Sequence, residues 1–211
     1  MRIAILIFDR LTALDAVGPY EVLSRLPGVE LVFVAEQAGP KRTDTGALAL
    51  IADASIAELT DPDVLLIPGG EGNRPLLADE TVLDWVRTAD AGSTWTTSVC
   101  TGSLVLGAAG ILEGRRATSH WAHLERLADY GATPVSERVV IDGKLVTAAG
   151  VSAGIDMALT LAAEIAGEQV AQAIQLGIEY DPNPPFDAGS PQKAPEELVD
   201  LIRGLARSTG S

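Results

Sequence analysis

The residue best suited to chemistry in this sequence is its single cysteine, Cys100, which lies in the run Ser-Val-Cys-Thr-Gly-Ser at 98–103. Residues 93–97 favour a short strand, and the small apolar residues 104–109 favour a helix packed on a sheet. A strand that turns directly into a helix leaves the turn side chain at the edge of the sheet, beside the first N–H groups of the helix. We therefore predict that Cys100 is a nucleophile whose pKa is lowered by this position. The alternative is a small, buried hydrophobic residue with no chemical role.

Thiolate addition to an unsaturated carbon also needs a proton relay and a site for developing negative charge. Asp15, on the loop after the first predicted strand, is the candidate relay, provided that burial raises its pKa. Alternatively, it caps a helix that begins near Ala16. Backbone N–H groups of Gly69, Gly70 and Thr101 are candidates for an anion site, because glycine lets the main chain approach closely. The alternative for the two glycines is a tight turn that closes a strand.

The other candidates are weaker. His120 and His123 lie at a helix start, where a hydrogen-bonded structural histidine is the favoured interpretation, although a pairing of His120 with Cys100 stays open. With Glu125, the two histidines lack the further ligands that a metal site needs. Residues 69–72 have no phosphate-loop lysine, and no Gly-x-Gly-x-x-Gly motif follows the first strand. We expect neither a metal nor an organic cofactor.

An alternating series of strands and helices must position these residues. Apolar runs at 2–8, 29–35 and 63–67 are typical of strands buried on both faces of a parallel sheet. Helices are predicted at 20–26, 79–91, 121–130, 153–166 and 168–179, a short hairpin within 38–53, and a second hairpin at Asp142-Gly143, which joins 135–141 to 144–147. This order predicts a doubly wound α/β sandwich around a mainly parallel sheet. Ligands of such sheets lie beyond the carboxyl ends of the strands, where the Asp15 loop, the 68–70 turn and the 100–101 turn converge.

The C-terminal part predicts an extended Pro-rich connector at 181–191 and a helix at about 195–207, with residues 1–211 forming a single domain. The formal net charge is −14, from 29 acidic and 15 basic residues, so nucleic acid and anionic membranes are not expected partners. The first apolar run is too short for a signal sequence or a membrane span. One cysteine permits no internal disulfide, and we expect a cytoplasmic protein.

Several of these segments resemble the DJ-1/PfpI superfamily and, within it, the isonitrile (isocyanide) hydratase branch. The Pro-Gly-Gly turn and the cysteine turn identify the superfamily, whereas the run at 98–103 and the Pro-Pro-Phe-x-Ala-Gly-Ser-Pro tail at 184–191 are more specific to the branch. Further matching segments are 14–19, 116–121, 153–156 and 179–183. The resemblance covers nearly the whole chain.

The resemblance implies a flavodoxin-like three-layer sandwich, a homodimer, Cys100 as nucleophile and Asp15 as the neighbouring acid. It also implies an anion site made by the N–H groups of Gly70 and Thr101. An isocyanide carbon accepts nucleophiles, so the implied product is an N-substituted formamide. The small apolar residues near the turn favour an uncharged substrate. Peptidases of the superfamily carry histidine directly after the cysteine, where this chain has Thr101.

Three alternatives stay open. A glyoxalase or deglycase of the same superfamily would use the same cysteine, but typically with Glu at the position of Asp15 and a catalytic histidine near the cysteine. A non-enzymatic oxidative-stress sensor would instead oxidise Cys100 to a sulfinate. The sensor domain of a transcription regulator would need a DNA-binding half, which we do not expect from one terminal helix on a chain with a net charge of −14.

Overall fold

The apolar runs of the sequence form the central strands of the computed structural model, which describes residues 1–208, with side chains described through residue 206. The strands are β1 (Arg2–Leu6), β2 (Glu30–Ala35), β3 (Gly39–Arg42), β4 (Ala49–Ala52), β5 (Ala54–Ser55), β6 (Val64–Ile67), β7 (Trp95–Val99), β8 (Arg116–Ala117), β9 (Thr133–Pro134), β10 (Val139–Asp142) and β11 (Leu145–Ala148). Seven of them form one sheet in the order β10-β11-β7-β6-β1-β2-β5. Every neighbouring pair in this sheet is parallel except the hairpin β10–β11. The predicted mainly parallel sheet is therefore confirmed.

Helices cover both faces of this sheet and complete a three-layer α/β sandwich. They are α1 (Ala13–Leu23), α2 (Glu80–Gly92), α3 (Gly102–Ala108), α4 (Ala153–Ala166), α5 (Glu168–Gly177) and α6 (Glu196–Ser208), with 3₁₀ turns at Glu71–Asn73, Pro75–Ala78 and Trp121–Tyr130. Helices α1, α4 and α5 pack together, whereas α2 and α3 pack with the 3₁₀ segments. β1 and β6 are buried along nearly their whole length because both of their faces are covered.

The first helix differs most from its prediction. The sequence predicts a helical pattern at 20–26, and the alternative for Asp15 begins the helix near Ala16. In the structure α1 begins at Ala13 and carries Pro19 inside it. Gly18 and Pro19 lie against α4, where a methyl group on Gly18 would stand 3.1 Å from Ile155. Close packing of the two helices therefore outweighs the local propensity.

The smaller features follow the predictions with shifted bounds. The predicted 38–53 hairpin is the antiparallel pair β3–β4, and the helix predicted at 121–130 is a 3₁₀ helix. Residues 181–191 contain neither helix nor strand, and α6 follows them. Among the described residues, no helix is long and apolar enough to cross a membrane.

The strand order brings three turns together. β7, β6 and β1 are adjacent and parallel, so the segments that follow them leave the same edge of the sheet. These segments are 100–101 after β7, 68–70 after β6 and 7–15 after β1. The predicted convergence of the candidate residues is therefore confirmed.

Candidate active site

Cys100 occupies the sharp turn between β7 and α3, with a φ of 57° that side-chain-bearing residues rarely adopt. Its N–H donates to the carbonyl oxygens of Ala148 (3.0 Å) and Ala149 (3.2 Å). Its own carbonyl accepts hydrogen bonds from the hydroxyls of Ser103 and Ser119, both at 3.1 Å. Contacts on both sides of the peptide therefore hold this backbone conformation in place.

Two glycines allow the chain to pass this turn. A methyl group on Gly102 would stand 2.1 Å from the carbonyl oxygen of Ile67, at the end of β6. A methyl group on Gly69 would stand 2.6 Å from the Thr101 nitrogen and 2.9 Å from Asp15 Oδ2. Both positions are thus restricted to glycine by the close approach of neighbouring atoms.

Asp15 lies in the first turn of α1 and is fully buried. This position corrects two expectations, because Asp15 is neither on a loop nor a cap. The N-cap residue is Thr12, which accepts the Asp15 N–H at 3.1 Å. Asp15 Oδ2 accepts a hydrogen bond from the Gly69 N–H at 2.9 Å, while Oδ1 is buried and receives none from an N–H or O–H group of the described residues.

The carboxyl of Asp15 and the thiol of Cys100 influence each other's ionisation. Burial raises the pKa of Asp15 to about 7, although hydrogen bonds from Gly69 and from the Cys100 thiol act in the opposite direction. A carboxyl with this pKa can both accept and release a proton at neutral pH. Burial therefore raises the pKa of Asp15, as its predicted role as a proton relay requires.

The prediction of a lowered thiol pKa is wrong. Burial raises the pKa of Cys100 well above its ordinary value, and the Asp15 charge raises it further. Hydrogen bonds from Thr101 oppose this rise without reversing it. Only 6% of Cys100 is exposed, so desolvation of the thiolate outweighs the effect of the following helix start. The resting group is a thiol, and its proton must move before sulfur can attack.

The prediction that the Gly69 and Gly70 N–H groups are free to bind an anion is also wrong, because both already donate hydrogen bonds within the protein. The Gly69 N–H is used by Asp15, and the Gly70 N–H donates to Thr101 Oγ1 at 3.2 Å. Sequence patterns cannot show this competition, because the acceptors lie 54 and 31 residues away along the chain. Thr101 nevertheless contacts the sulfur through its backbone and side chain.

Asn73 is a site residue that the sequence analysis missed. It is buried, and its Nδ2 donates to the Thr101 carbonyl at 2.8 Å. The side chain therefore ties the 3₁₀ turn after β6 to the cysteine turn. No motif marks this asparagine, and its role depends wholly on the tertiary contact.

His120 begins the 3₁₀ helix at 121–130, and its Nδ1 accepts the Ala122 N–H at 3.3 Å. This bond requires an unprotonated Nδ1, so the neutral ring carries its proton on Nε2. Burial, and then the neighbouring His123, lower the pKa of His120 to about 4. The absent side chain of Gly150 leaves room for the ring, because a methyl group there would lie 2.2 Å from Cδ2. The favoured structural interpretation is confirmed, and His120 also faces the cavity of Cys100.

A cavity of about 350 Å³ opens above the cysteine and is called the active-site cavity below. It is lined by Thr12, Gly70, Glu71, Asn73, Arg74, Leu77, Cys100, Thr101, Leu104, His120, His123, Arg126, Val151 and Ala206. Its wall contains both acidic and basic side chains, unlike the apolar surroundings from which we expected an uncharged substrate. Within the described residues, no group of three or more His, Cys, Asp and Glu side chains is arranged to hold a metal ion.

Comparison with known proteins gives a consistent assignment. Residues 1–164 match the sequence model of the DJ-1/PfpI family. The chain is 48% identical over 206 residues to the isonitrile hydratase of Pseudomonas putida, covering 98% of this chain and 90% of that protein. It is 29% identical to protein DJ-1 homolog A of Arabidopsis thaliana, covering 81% of this chain and 44% of that protein.

Solved structures give the same result for the fold. A crystal structure of a ThiJ/PfpI family protein from Pseudomonas syringae superimposes with a TM-score of 0.95 at 39% identity. That alignment covers 99% of this chain and 86% of the other. The similarity therefore extends through the connector and α6 as well as the sandwich.

Proposed function

The chain belongs to the DJ-1/PfpI family, and we propose that it is an isonitrile hydratase, an enzyme that adds water to an isocyanide and releases an N-substituted formamide. Nearly full-length identity of 48% to the Pseudomonas putida isonitrile hydratase carries this proposal. The arrangement of Cys100 and Asp15 supports it independently. A buried carboxyl with a pKa of about 7 beside a thiol is suited to moving one proton back and forth.

The first step forms a carbon–sulfur bond. The Asp15 carboxylate takes the thiol proton as sulfur attacks the terminal carbon of the isocyanide. The same proton then passes from Asp15 to that carbon, which becomes a C–H group. The product is a thioimidate in which the carbon is bonded to Cys100 sulfur and doubly bonded to nitrogen. No net charge is created in the buried site, because thiol and isocyanide combine without losing an atom.

The second step consumes water. Asp15, again a carboxylate, takes a proton from a water molecule as the water oxygen attacks the thioimidate carbon, and it passes this proton to the nitrogen. Collapse of the tetrahedral intermediate breaks the carbon–sulfur bond and releases the N-substituted formamide. The hydroxyl proton of the intermediate passes through Asp15 to the departing sulfur, so that thiol and carboxylate return to their starting states. The sum of both steps is isocyanide plus water.

Thr101, Gly69 and Gly70 have supporting roles in this proposal. Gly69 orients the carboxyl by donating its N–H to Asp15 Oδ2. Hydrogen bonds from Thr101 favour the thiolate, since they lower the pKa of Cys100. Gly70 would take part as an anion donor only after its bond to Thr101 Oγ1 is broken. Of the three residues predicted for the anion site, Thr101 alone is therefore proposed to stabilise the sulfur anion.

Three further features complete the proposal. We treat residues 1–211 as a single domain and expect a homodimer, which agrees with the exposed Leu198 and Leu201 on α6. A cytoplasmic location suits a mechanism that needs a reduced thiol. Light scattering of the purified protein tests the dimer, and a mass equal to one chain would contradict it.

Product analysis tests the function. The purified protein, given n-butyl isocyanide, is expected to release N-butylformamide, while Cys100→Ala is expected to release none above the uncatalysed rate and to keep its circular dichroism spectrum. Methylglyoxal serves as the comparison substrate for the glyoxalase alternative. Consumption of methylglyoxal without formamide production would contradict the proposal, as would peroxide oxidation of Cys100 with no turnover of either compound.

A further inference from the structure

The solvent end of the active-site cavity carries an arginine that forms no ion pair with the side chains of residues 1–206. Arg126 lies on the 3₁₀ helix that begins beside His120, and its side chain is exposed while lining the same cavity as the buried Cys100. The cavity therefore runs from the thiol outward to this guanidinium. An isocyanide whose carbon reaches sulfur must direct its substituent along this path.

Arg126 differs from most arginines of this acidic protein. Eight others each form an ion pair with a carboxylate: Arg2, Arg10, Arg25, Arg87, Arg115, Arg116, Arg138 and Arg203. Arg126 forms no ion pair with any residue up to 206, although Glu125 is its neighbour and Asp129 lies one 3₁₀ turn away. The side chain that its positive charge affects is His123, which also lines the cavity.

The other ionisable groups of the lining leave this positive charge in place. Glu71 forms an ion pair with Arg10, which neutralises its negative charge. Burial holds the pKa of His120 and of His123 below its ordinary value, so both rings are neutral at pH 7. The outer part of the cavity around Arg126, called the mouth below, is thus locally positive on a chain whose formal net charge is −14.

We propose that Arg126 binds an anionic group on the substituent, so that the preferred substrates are isocyanides that carry a carboxylate. A planar guanidinium forms paired hydrogen bonds with a carboxylate, and the positive mouth attracts an anion that the rest of the surface repels. This inference rests on the proposed function and replaces the expectation of an uncharged substrate. Arg126 is a binding residue here, with no part in proton transfer.

The test compares 3-isocyanopropanoate with its methyl ester, which has the same isocyanide group and no charge. For the wild-type protein, kcat/KM is expected to be about tenfold higher for the carboxylate, mainly through a lower KM, and to fall toward the ester's value at high salt. Arg126→Gln is expected to remove this preference by lowering kcat/KM for the carboxylate to about the value for the ester. Arg126→Lys should restore part of it.

Arg115→Gln is the matched control, because it removes one positive charge outside the cavity lining. It is expected to keep the preference. Equal kcat/KM for both compounds in the wild-type protein, or an unchanged preference in Arg126→Gln, would overturn the inference. Failure of the proposed function is distinguished by binding of the formamides. If neither isocyanide turns over, calorimetry with 3-formamidopropanoate and its methyl ester still decides whether Arg126 selects the anion.

Discussion

The floor and the mouth of the active-site cavity are built on different principles. At the floor, Asp15 and Cys100 are buried, and neighbouring backbone groups fix their positions. At the mouth, Glu71, Arg74 and Arg126 are exposed and belong to 3₁₀ segments or their ends. Burial changes the pKa of the floor residues, whereas water screens the charges at the mouth. The floor therefore determines the reaction, and the mouth selects among substrates.

The largest expected effect comes from the floor. Asp15→Asn keeps the size of the side chain and an acceptor for the Gly69 N–H but removes the proton relay. We expect formamide production to fall by roughly 100-fold or more. In the wild-type protein, kcat/KM should decrease about tenfold per pH unit below an inflection near pH 7, because only the carboxylate accepts the thiol proton. The variant should lack this inflection. Full activity in Asp15→Asn would remove Asp15 from the mechanism.

The next effect concerns the stability of the cysteine turn. Gly102→Ala would place a methyl group 2.1 Å from the Ile67 carbonyl oxygen, and neither backbone can move freely. We expect a loss of about 3 kcal/mol or more in the free energy of unfolding by urea denaturation. Gly92→Ala is the matched control at the end of α2, since no atom lies within 4 Å of its added methyl group. Equal stability of the two variants would show that the turn is looser than described.

Burial of Asp15 also predicts that the free energy of unfolding decreases as the pH rises. Its pKa of about 7 in the folded protein exceeds the ordinary value of 3.8, so the unfolded chain loses its proton first as the pH rises. The contribution of Asp15 to stability is therefore fully present below pH 4 and is lost as the pH rises through about 7. Asp15→Asn should be more stable than the wild-type protein at pH 8 to 9, by roughly 2–4 kcal/mol, with little difference at pH 4.

Denaturation of both proteins across this pH range measures the difference. Asp61→Asn, which removes an exposed carboxyl, controls for the loss of one negative charge. A wild-type protein that is the more stable of the two at pH 9 would contradict the described burial of Asp15.

The smallest effect belongs to the mouth. Glu71→Gln breaks the ion pair with Arg10, in which both side chains are substantially exposed. We expect a loss of less than about 1 kcal/mol in the free energy of unfolding, and less still at high salt. A loss as large as that of Gly102→Ala would mean that the mouth is as tightly coupled to the fold as the floor.

Local patterns were sufficient for much of the fold. The apolar stretch that predicts α4 over 153–166 matches the observed Ala153–Ala166, because its burial pattern and helical propensity agree. Asp142-Gly143 likewise predicts the β10–β11 hairpin, since the turn chemistry is contained in two residues. The position of Cys100 between a strand and a helix could be predicted as well, because the patterns on both sides of it are local in sequence.

The site required information that no local pattern holds. The raised pKa of Cys100 depends on how many atoms surround the thiol, and the use of the Gly69 and Gly70 N–H groups depends on acceptors distant in sequence. Asn73 became visible only through its contact with Thr101. Competition for hydrogen bonds and desolvation are properties of the assembled edge of the sheet.

The central claim is that Cys100 attacks the isocyanide while Asp15 takes its proton. The most direct test is the mass of the protein during turnover, which detects the covalent adduct. Wild-type protein mixed with excess n-butyl isocyanide and quenched in acid within milliseconds should carry an adduct on Cys100 with the full mass of the isocyanide. In Asp15→Asn this adduct should form more slowly, and none should form in Cys100→Ala. Formamide released at the normal rate by Cys100→Ala, with no adduct in the wild-type protein, would contradict the mechanism.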